Sequence, residues 1–376
     1  MDTVFLLGSG TSIDAGMPRV STITDQILSG DGVFLHTNKR FVLDASNPNY
    51  ESRRSMVEPV LELVEDLRQR AAAYFDRRPN YEELAQVVRQ INDALSKEYE
   101  SPAVMPLVDL LSARPYAAYD SQQLHGVSQL AHHYIMDTVR QMLDKPPSRL
   151  DHLAVIVEAC TDLPGVLLAT LNHDLVLESA LRRADIDYGD GFEAAGRDIR
   201  LWTDEWDDVS VRLLKLHGSL DWWGYRRMDE PSRGWVTTRY LGDDPTHPNS
   251  NVVVGPPQDM RPIFLTGTFD KVLAYETWIF PDQHLRFHET LREAKHVVVI
   301  GYGFGDKAIN TRLIGWLARS SKHKLIVCHP DPVKLSERSR PAIREKWTGW
   351  QNRGQVKTVV ASVADLDYAA IVEHLT

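Results

Sequence analysis

Gly8-Ser9-Gly10-Thr11-Ser12, followed by Ala15-Gly16-Met17-Pro18, directly succeeds an apolar run at residues 4–7. Small residues at the end of a strand let backbone N–H groups approach a pyrophosphate, and a helix starting there adds partial positive charge. A second polar segment, Asn172-His173-Asp174, closes the apolar run at 166–171. A third, His217-Gly218-Ser219, closes the run at 211–216 and brings an imidazole, whose unperturbed pKa of about 6.5 suits proton exchange near neutral pH. Gly301-Tyr302-Gly303-Phe304-Gly305-Asp306 closes the run at 297–300 and leads into a helical pattern with Asn310, and His329-Pro330-Asp331 closes the run at 325–327. Each segment has a bland alternative: tight strand-to-helix turns for the glycines, an N-cap for Asp174, a satisfied structural histidine for His217, a plain turn for His329. Asp306 and Asn310 read first as structural. What argues for chemistry is that separate strands deliver glycines and polar groups to one rim.

The elements that must position these residues alternate. Runs nearly continuous in Val, Ile and Leu read as strands buried on both faces; 263–265 is expected as another, and 356–360, interrupted by Lys357, as a weaker one. Helical patterns fall at 175–183, about 270–294 and 308–319. Strand and helix in turn predict an α/β fold, a doubly wound Rossmann-like parallel sheet with ligands at the carboxyl ends of its strands. Residues 57–74, 81–99, 104–112 and 124–143 repeat apolar residues at helical spacing, with Pro79-Asn80 and Ser101-Pro102 as start signals. They predict a helical insertion subdomain at 35–149, set into a main domain of 1–34 plus 150–376. His132, His133, Tyr134 and Met136 read as packing, and 224–255 as an irregular connection.

Charge and cysteine content narrow the class. A net charge of −10 gives no global field to hold nucleic acid, so no direct nucleic-acid partner is expected. Two cysteines, Cys160 and Cys328, form neither a disulfide framework nor a four-thiolate zinc site. No run approaches the roughly 20 apolar residues that span a bilayer, so a soluble, cytoplasmic chain without a membrane partner is expected.

Taken together, Gly8-Ser9-Gly10 with Ser12 and Gly16-Met17-Pro18, Asn172 with Asp174, His217-Gly218, and Gly301-Tyr302-Gly303 resemble the ordered motifs of the sirtuin family over residues 1 to about 30 and about 150 to 330. The departures are specific. Pro18 is followed by Arg19-Val20-Ser21 where deacylase sirtuins carry Asp-Phe-Arg, the four zinc cysteines are missing, and Trp222-Trp223-Gly224-Tyr225 stands near where a zinc module would begin. The pattern is closer to the zinc-less sirtuin-like domains of bacterial anti-phage defence, including those acting with a HerA-type ATPase or in Thoeris systems.

That resemblance implies NAD⁺ as substrate, no zinc, and cleavage of the nicotinamide–ribose bond as the end in itself: an NAD⁺ glycohydrolase yielding nicotinamide and ADP-ribose. It implies Asn172, His217 and Asp174 as catalytic residues, with Asn172 on the nicotinamide ribose or the attacking water and His217 accepting a proton. Gly8, Ser9, Gly10, Thr11, Ser12, Gly16, Pro18, Gly301, Tyr302, Gly303 and His329 would bind the dinucleotide. It further implies control by homo-oligomer assembly or by a HerA-type ATPase partner. Two other readings stay open: a protein deacylase or ADP-ribosyltransferase using NAD⁺ as co-substrate, and a non-enzymatic NAD⁺ or ADP-ribose sensor.

Overall fold

The computed structural model describes residues 2–74, 77–98, 102–113, 124–206, 209–228, 235–242, 244–246, 248, 250–266 and 278–375. The chain divides into two compact units, the first comprising Met1–Met17, Pro146–Leu265 and Val272–Thr376, the second Pro18–Lys145 with Thr266–Lys271.

A six-stranded parallel sheet organises the first unit; its strands are β1 (Thr3–Leu7), β2 (Val166–Thr170), β3 (Val211–Lys215), β4 (His296–Ile300), β5 (Lys324–Cys328) and β6 (Val356–Val359). Every residue of β1 and β2 is buried, as their unbroken apolar sequence requires of strands covered on both faces. Val4, Leu6, Leu167, Leu214, Val297, Val299, Leu325 and Val327 share one core with Phe287, Leu313, Trp316 and Trp347 of the flanking helices. The order across the sheet is β6-β5-β4-β1-β2-β3, so the direction of winding reverses between β1 and β4. That reversal opens the crevice in which doubly wound sheets hold their ligands. Register fixes the level of the loops there: Leu7 pairs with Ile300 and Thr170, Thr170 with Lys215, and Ile300 with Cys328. Gly8, Leu171, Leu216, Gly301 and His329 therefore leave the sheet in one row.

Two expectations are corrected. Residues 263–265 add no strand to the parallel sheet; Phe264 makes an isolated antiparallel bridge to Gly218, with the Leu265 N–H donating to the His217 carbonyl (2.8 Å) and the Ser219 N–H to the Ile263 carbonyl (3.1 Å). The segment 224–255 is not irregular throughout. Trp222–Arg227, Trp235–Tyr240 and Val253–Val254 join Phe192–Ala194 and Ile199–Trp202 in a five-stranded antiparallel sheet. Its period was hidden because Trp222, Trp223, Gly224 and Tyr225 are buried in succession, without the in–out alternation of a half-covered strand. The helix expected from about residue 270 is observed as Phe280–Glu293; residues 270–277 lie outside the described residues.

The second unit holds the helices Val20–Ser29, Glu58–Ala72, Tyr81–Ser96, Met105–Ser112 and Leu124–Leu143, with a hairpin of Val33–Leu35 and Phe41–Leu43. Asn80 starts its helix through a capping box with Glu83. Tyr134 and Met136 are buried, and the Tyr134 hydroxyl donates to the Ile27 carbonyl at 2.7 Å, as packing residues should. Among the described residues no helix is long and apolar enough to cross a membrane.

Candidate functional site

Asn172, on the loop after β2, is held by its amide nitrogen, which lies 3.1 Å from the Gly8 carbonyl, 3.1 Å from Thr11 Oγ1 and 3.0 Å from Ser12 Oγ. Both hydroxyl protons are committed elsewhere: Thr11 donates to the Gly8 carbonyl (2.8 Å) and Ser12 to Asp174 Oδ1 (3.0 Å). These oxygens can only accept from Asn172, so the carboxamide is oriented with its NH₂ toward the β1 turn. Asn172 is half-buried, and Oδ1 is the atom it presents. Asp174 is buried; Oδ1 also accepts the Val176 N–H (3.1 Å) at the start of the helix Val176–Arg183.

The glycines after β1 and β4 interlock. A Cβ at Gly8 would sit 2.6 Å from the Gly301 carbonyl oxygen, one at Gly10 2.6 Å from Gly301 Cα, and one at Gly301 2.5 Å from the Thr11 nitrogen. The backbone N–H groups of the turn are also used internally: Gly8 donates to Ile300, Gly10 to Gly301, Thr11 to Gly8 and Ser12 to Ser9. The helix that follows, Gly10–Ile13, is a single turn. These glycines join two strand ends across the switch point, at the turn expected to cradle a pyrophosphate. Ser9 is exposed, and Cβ atoms at Gly303 and Gly305 would meet nothing within 4 Å, so the open side of the crevice lies there.

His217 follows β3 on a loop that turns through Gly218 in the left-handed region (φ 84°). Its imidazole is buried, with Nε2 3.2 Å from Asp306 Oδ2 and its ring centroid 6.4 Å from that of His173. His173 packs on Phe264 at 4.8 Å. His284, on the helix Phe280–Glu293, donates from Nε2 to the Leu216 carbonyl (3.1 Å) and steadies the same loop. Burial, with Arg312 and His217 adding to it, pulls the His284 imidazole down to about 3. The unfolded chain therefore takes up the proton first as pH falls, and the stability His284 confers is complete above its ordinary value of 6.5 and lost toward 3. Between pH 7 and 5 the loss should be about 2 kcal/mol. Urea unfolding at both pH values checks this, because His284→Gln keeps a donor for Leu216 and should flatten the dependence by that amount.

An ionic layer underlies the loops. Lys215 Nζ donates to the Asp174 carbonyl and to Glu178 Oε1, both at 2.6 Å, with all three residues buried. Burial pushes the Glu178 carboxyl above its ordinary range against the pull of Lys215. Beside it, Ser219 donates to Asp221 Oδ1 (2.5 Å), while Arg239 donates from Nε to Asp221 Oδ2 and from a terminal nitrogen to Asp190 Oδ2, each at 2.6 Å. Burial alone would raise the Asp221 carboxyl, but Arg239 and Lys215 outweigh it and hold it below its usual range.

Asn172, Asp174, His217, Ser12, Thr11 and the glycines of both loops thus gather at the carboxyl ends of adjoining strands. Tyr302 is buried, its hydroxyl donating to Asn310 Oδ1 (2.9 Å), so its side chain faces the core. Gly16 takes φ 90° beside Ser148, and Pro18 is the first residue of the second unit. His329 Nδ1 accepts the Asp331 N–H at 2.9 Å in the turn after β5. Sequence reasoning missed Lys215, His284, and His152, whose Nε2 donates to the Thr11 carbonyl at 2.8 Å. None carries a local signal of its partner. Among the described residues no group of three His, Cys, Asp or Glu is placed to hold a metal.

Residues 166–350 match the family model of the SIR2-like domain, a span that contains β2 to β5 and the Asn172, His217 and Gly301 loops. No curated protein matches the chain in sequence. Similar solved structures include a Sir2 homologue in complex with NAD, at 13% identity and TM-score 0.40, covering 100% of this chain and 91% of that one. Another is Sir2Tm bound to a propionylated peptide, at 12% identity and TM-score 0.35, covering 99% and 92%.

Proposed function

We propose that this sirtuin-like chain binds NAD⁺ across the switch-point crevice and hydrolyses it to nicotinamide and ADP-ribose. The observation that carries the reading is the pairing, at one level of the sheet, of a carboxamide with a fixed orientation, Asn172, and a buried imidazole, His217. Cleavage develops oxocarbenium character at the ribose, so catalysis depends on holding the dinucleotide and placing water on the face opposite the leaving group. Asn172 Oδ1 accepts from a ribose hydroxyl or from the water. Nicotinamide departs with the electron pair of the C1′–N bond, the water oxygen bonds to C1′, and the water proton passes to His217 and on to solvent. Asp174 keeps Ser12, and through it Asn172, in place. Ser9 and the open loop at Gly303 and Gly305 take the pyrophosphate, and His329 the adenosine ribose.

The missing zinc cysteines favour hydrolysis over acyl transfer. The likeness to defence-type sirtuin domains supports an anti-phage effector held in check by homo-oligomer assembly or by a HerA-type ATPase.

The test is to incubate the purified protein with NAD⁺ and quantify nicotinamide and ADP-ribose. Equal release of both without an acyl peptide is expected, falling at least about 100-fold in Asn172→Ala and His217→Ala. Release only when an acyl peptide is added would replace hydrolysis by deacylation. Binding without release, even at high protein concentration, would make the chain a sensor.

A further inference from the structure

Asp306 does more than begin a helix. Its Oδ1 accepts the Ile309 N–H at 2.9 Å and caps Lys307–Arg319. Its Oδ2 lies 3.2 Å from His217 Nε2, and the two side chains are only 7% and 4% exposed. The loop carrying it is braced: the Asp306 N–H donates to the Tyr302 hydroxyl (3.1 Å), Asn310 donates to the Phe304 carbonyl (2.8 Å), and Arg340 donates to the Gly305 carbonyl. A cap needs one acceptor oxygen, which Ser, Thr or Asn supplies equally well. A second carboxylate oxygen, buried against an imidazole, exceeds what the cap requires.

We propose that Asp306 is the positioning residue of His217: its carboxylate accepts the proton on Nε2, fixes that tautomer, and makes Nδ1 the nitrogen that takes the proton from water. The inference rests on the hydrolysis reading and names the partner of its base. A buried carboxylate at this distance also favours the imidazolium formed when the proton arrives. His173 on the loop after β2 lies beside His217, and His284 on Phe280–Glu293 feels His217, Asp306 and the Arg312 of Lys307–Arg319. Lys215 on β3 is engaged by Glu178, and the Asp174 carboxylate by Ser12 and Val176. Among the described residues, Asp306 sets a carboxylate oxygen 3.2 Å from the ring nitrogen.

Asp306→Asn preserves the cap and the volume while removing the charge. In NAD⁺ hydrolysis it should lower kcat roughly 100-fold with little change in KM, and move the acidic limb of kcat/KM to lower pH by about one unit. In ¹⁵N-histidine spectra, with His217 assigned from His217→Ala, the wild type should show the Nε2–H tautomer and Asp306→Asn should lose it. Unchanged kcat and pH profile in the variant, or an Nδ1–H tautomer in the wild type, would overturn the proposal. If wild type releases no nicotinamide but the tautomer is present and lost as expected, the pairing stands and only the hydrolysis reading falls.

Discussion

Gly301→Ala is expected to cost about 2–5 kcal/mol, a large share of the roughly 5–15 kcal/mol that holds a folded protein together. Gly301 has φ 67°, where an alanine loses about 1–2 kcal/mol to its own backbone. The new methyl group would also meet the Thr11 nitrogen at 2.5 Å and Gly10 carbon atoms at 2.8 Å. Those atoms belong to the backbone and cannot rotate away, so the β1 and β4 ends must separate, which adds overpacking strain of about 1–3 kcal/mol. Gly303→Ala is the matched comparison: it meets open space and should change stability by less than about 0.5 kcal/mol. Denaturant midpoints decide it. Equal stability of the two variants would mean that the interlock is not tight; weakened NAD⁺ binding by Gly303→Ala alone would place the dinucleotide on the open side.

Lys215→Met should be comparably damaging, by about 3–5 kcal/mol at pH 7, because it strands the Glu178 carboxylate and the Asp174 carbonyl in the interior. The deficit should shrink at low pH, as Glu178, already raised by burial, takes up a proton. Adding Glu178→Leu should recover most of the loss, since a buried pair replaced by apolar residues is often neutral where half a pair is not. A double-mutant cycle in urea measures the coupling; additive effects would show that Lys215 and Glu178 do not act as a pair.

The parallel sheet was legible because strands buried on both faces spell themselves out in Val, Ile and Leu. Asn172, His217 and the Gly301 loop were legible as a group because the carboxyl end of every such strand meets one rim. The role of Gly8 and Gly10 was not. Glycine reports that something comes close, and a sequence does not say whether that is a phosphate or the backbone of Gly301. Asp306 was read as structural for a similar reason: Gly-Asp before a helix signals a cap, and its second oxygen meets a histidine 89 positions earlier in the chain (306 − 217). Lys215 and Glu178, 37 residues apart, look in one dimension like an ordinary basic strand end and an ordinary helical glutamate.

The pairing of β1 with β4, which sets Thr3 opposite His296, also governs when the site can exist during synthesis. The Gly8 turn is made well before its Gly301 partner, which lies almost 300 positions later. At about 5–20 residues per second, the ribosome needs roughly 15–60 s to travel between them. Throughout that interval the nascent chain has half a crevice and no Asp306 beside His217. Translation itself therefore imposes a delay before the two sides of the crevice can meet around any ligand.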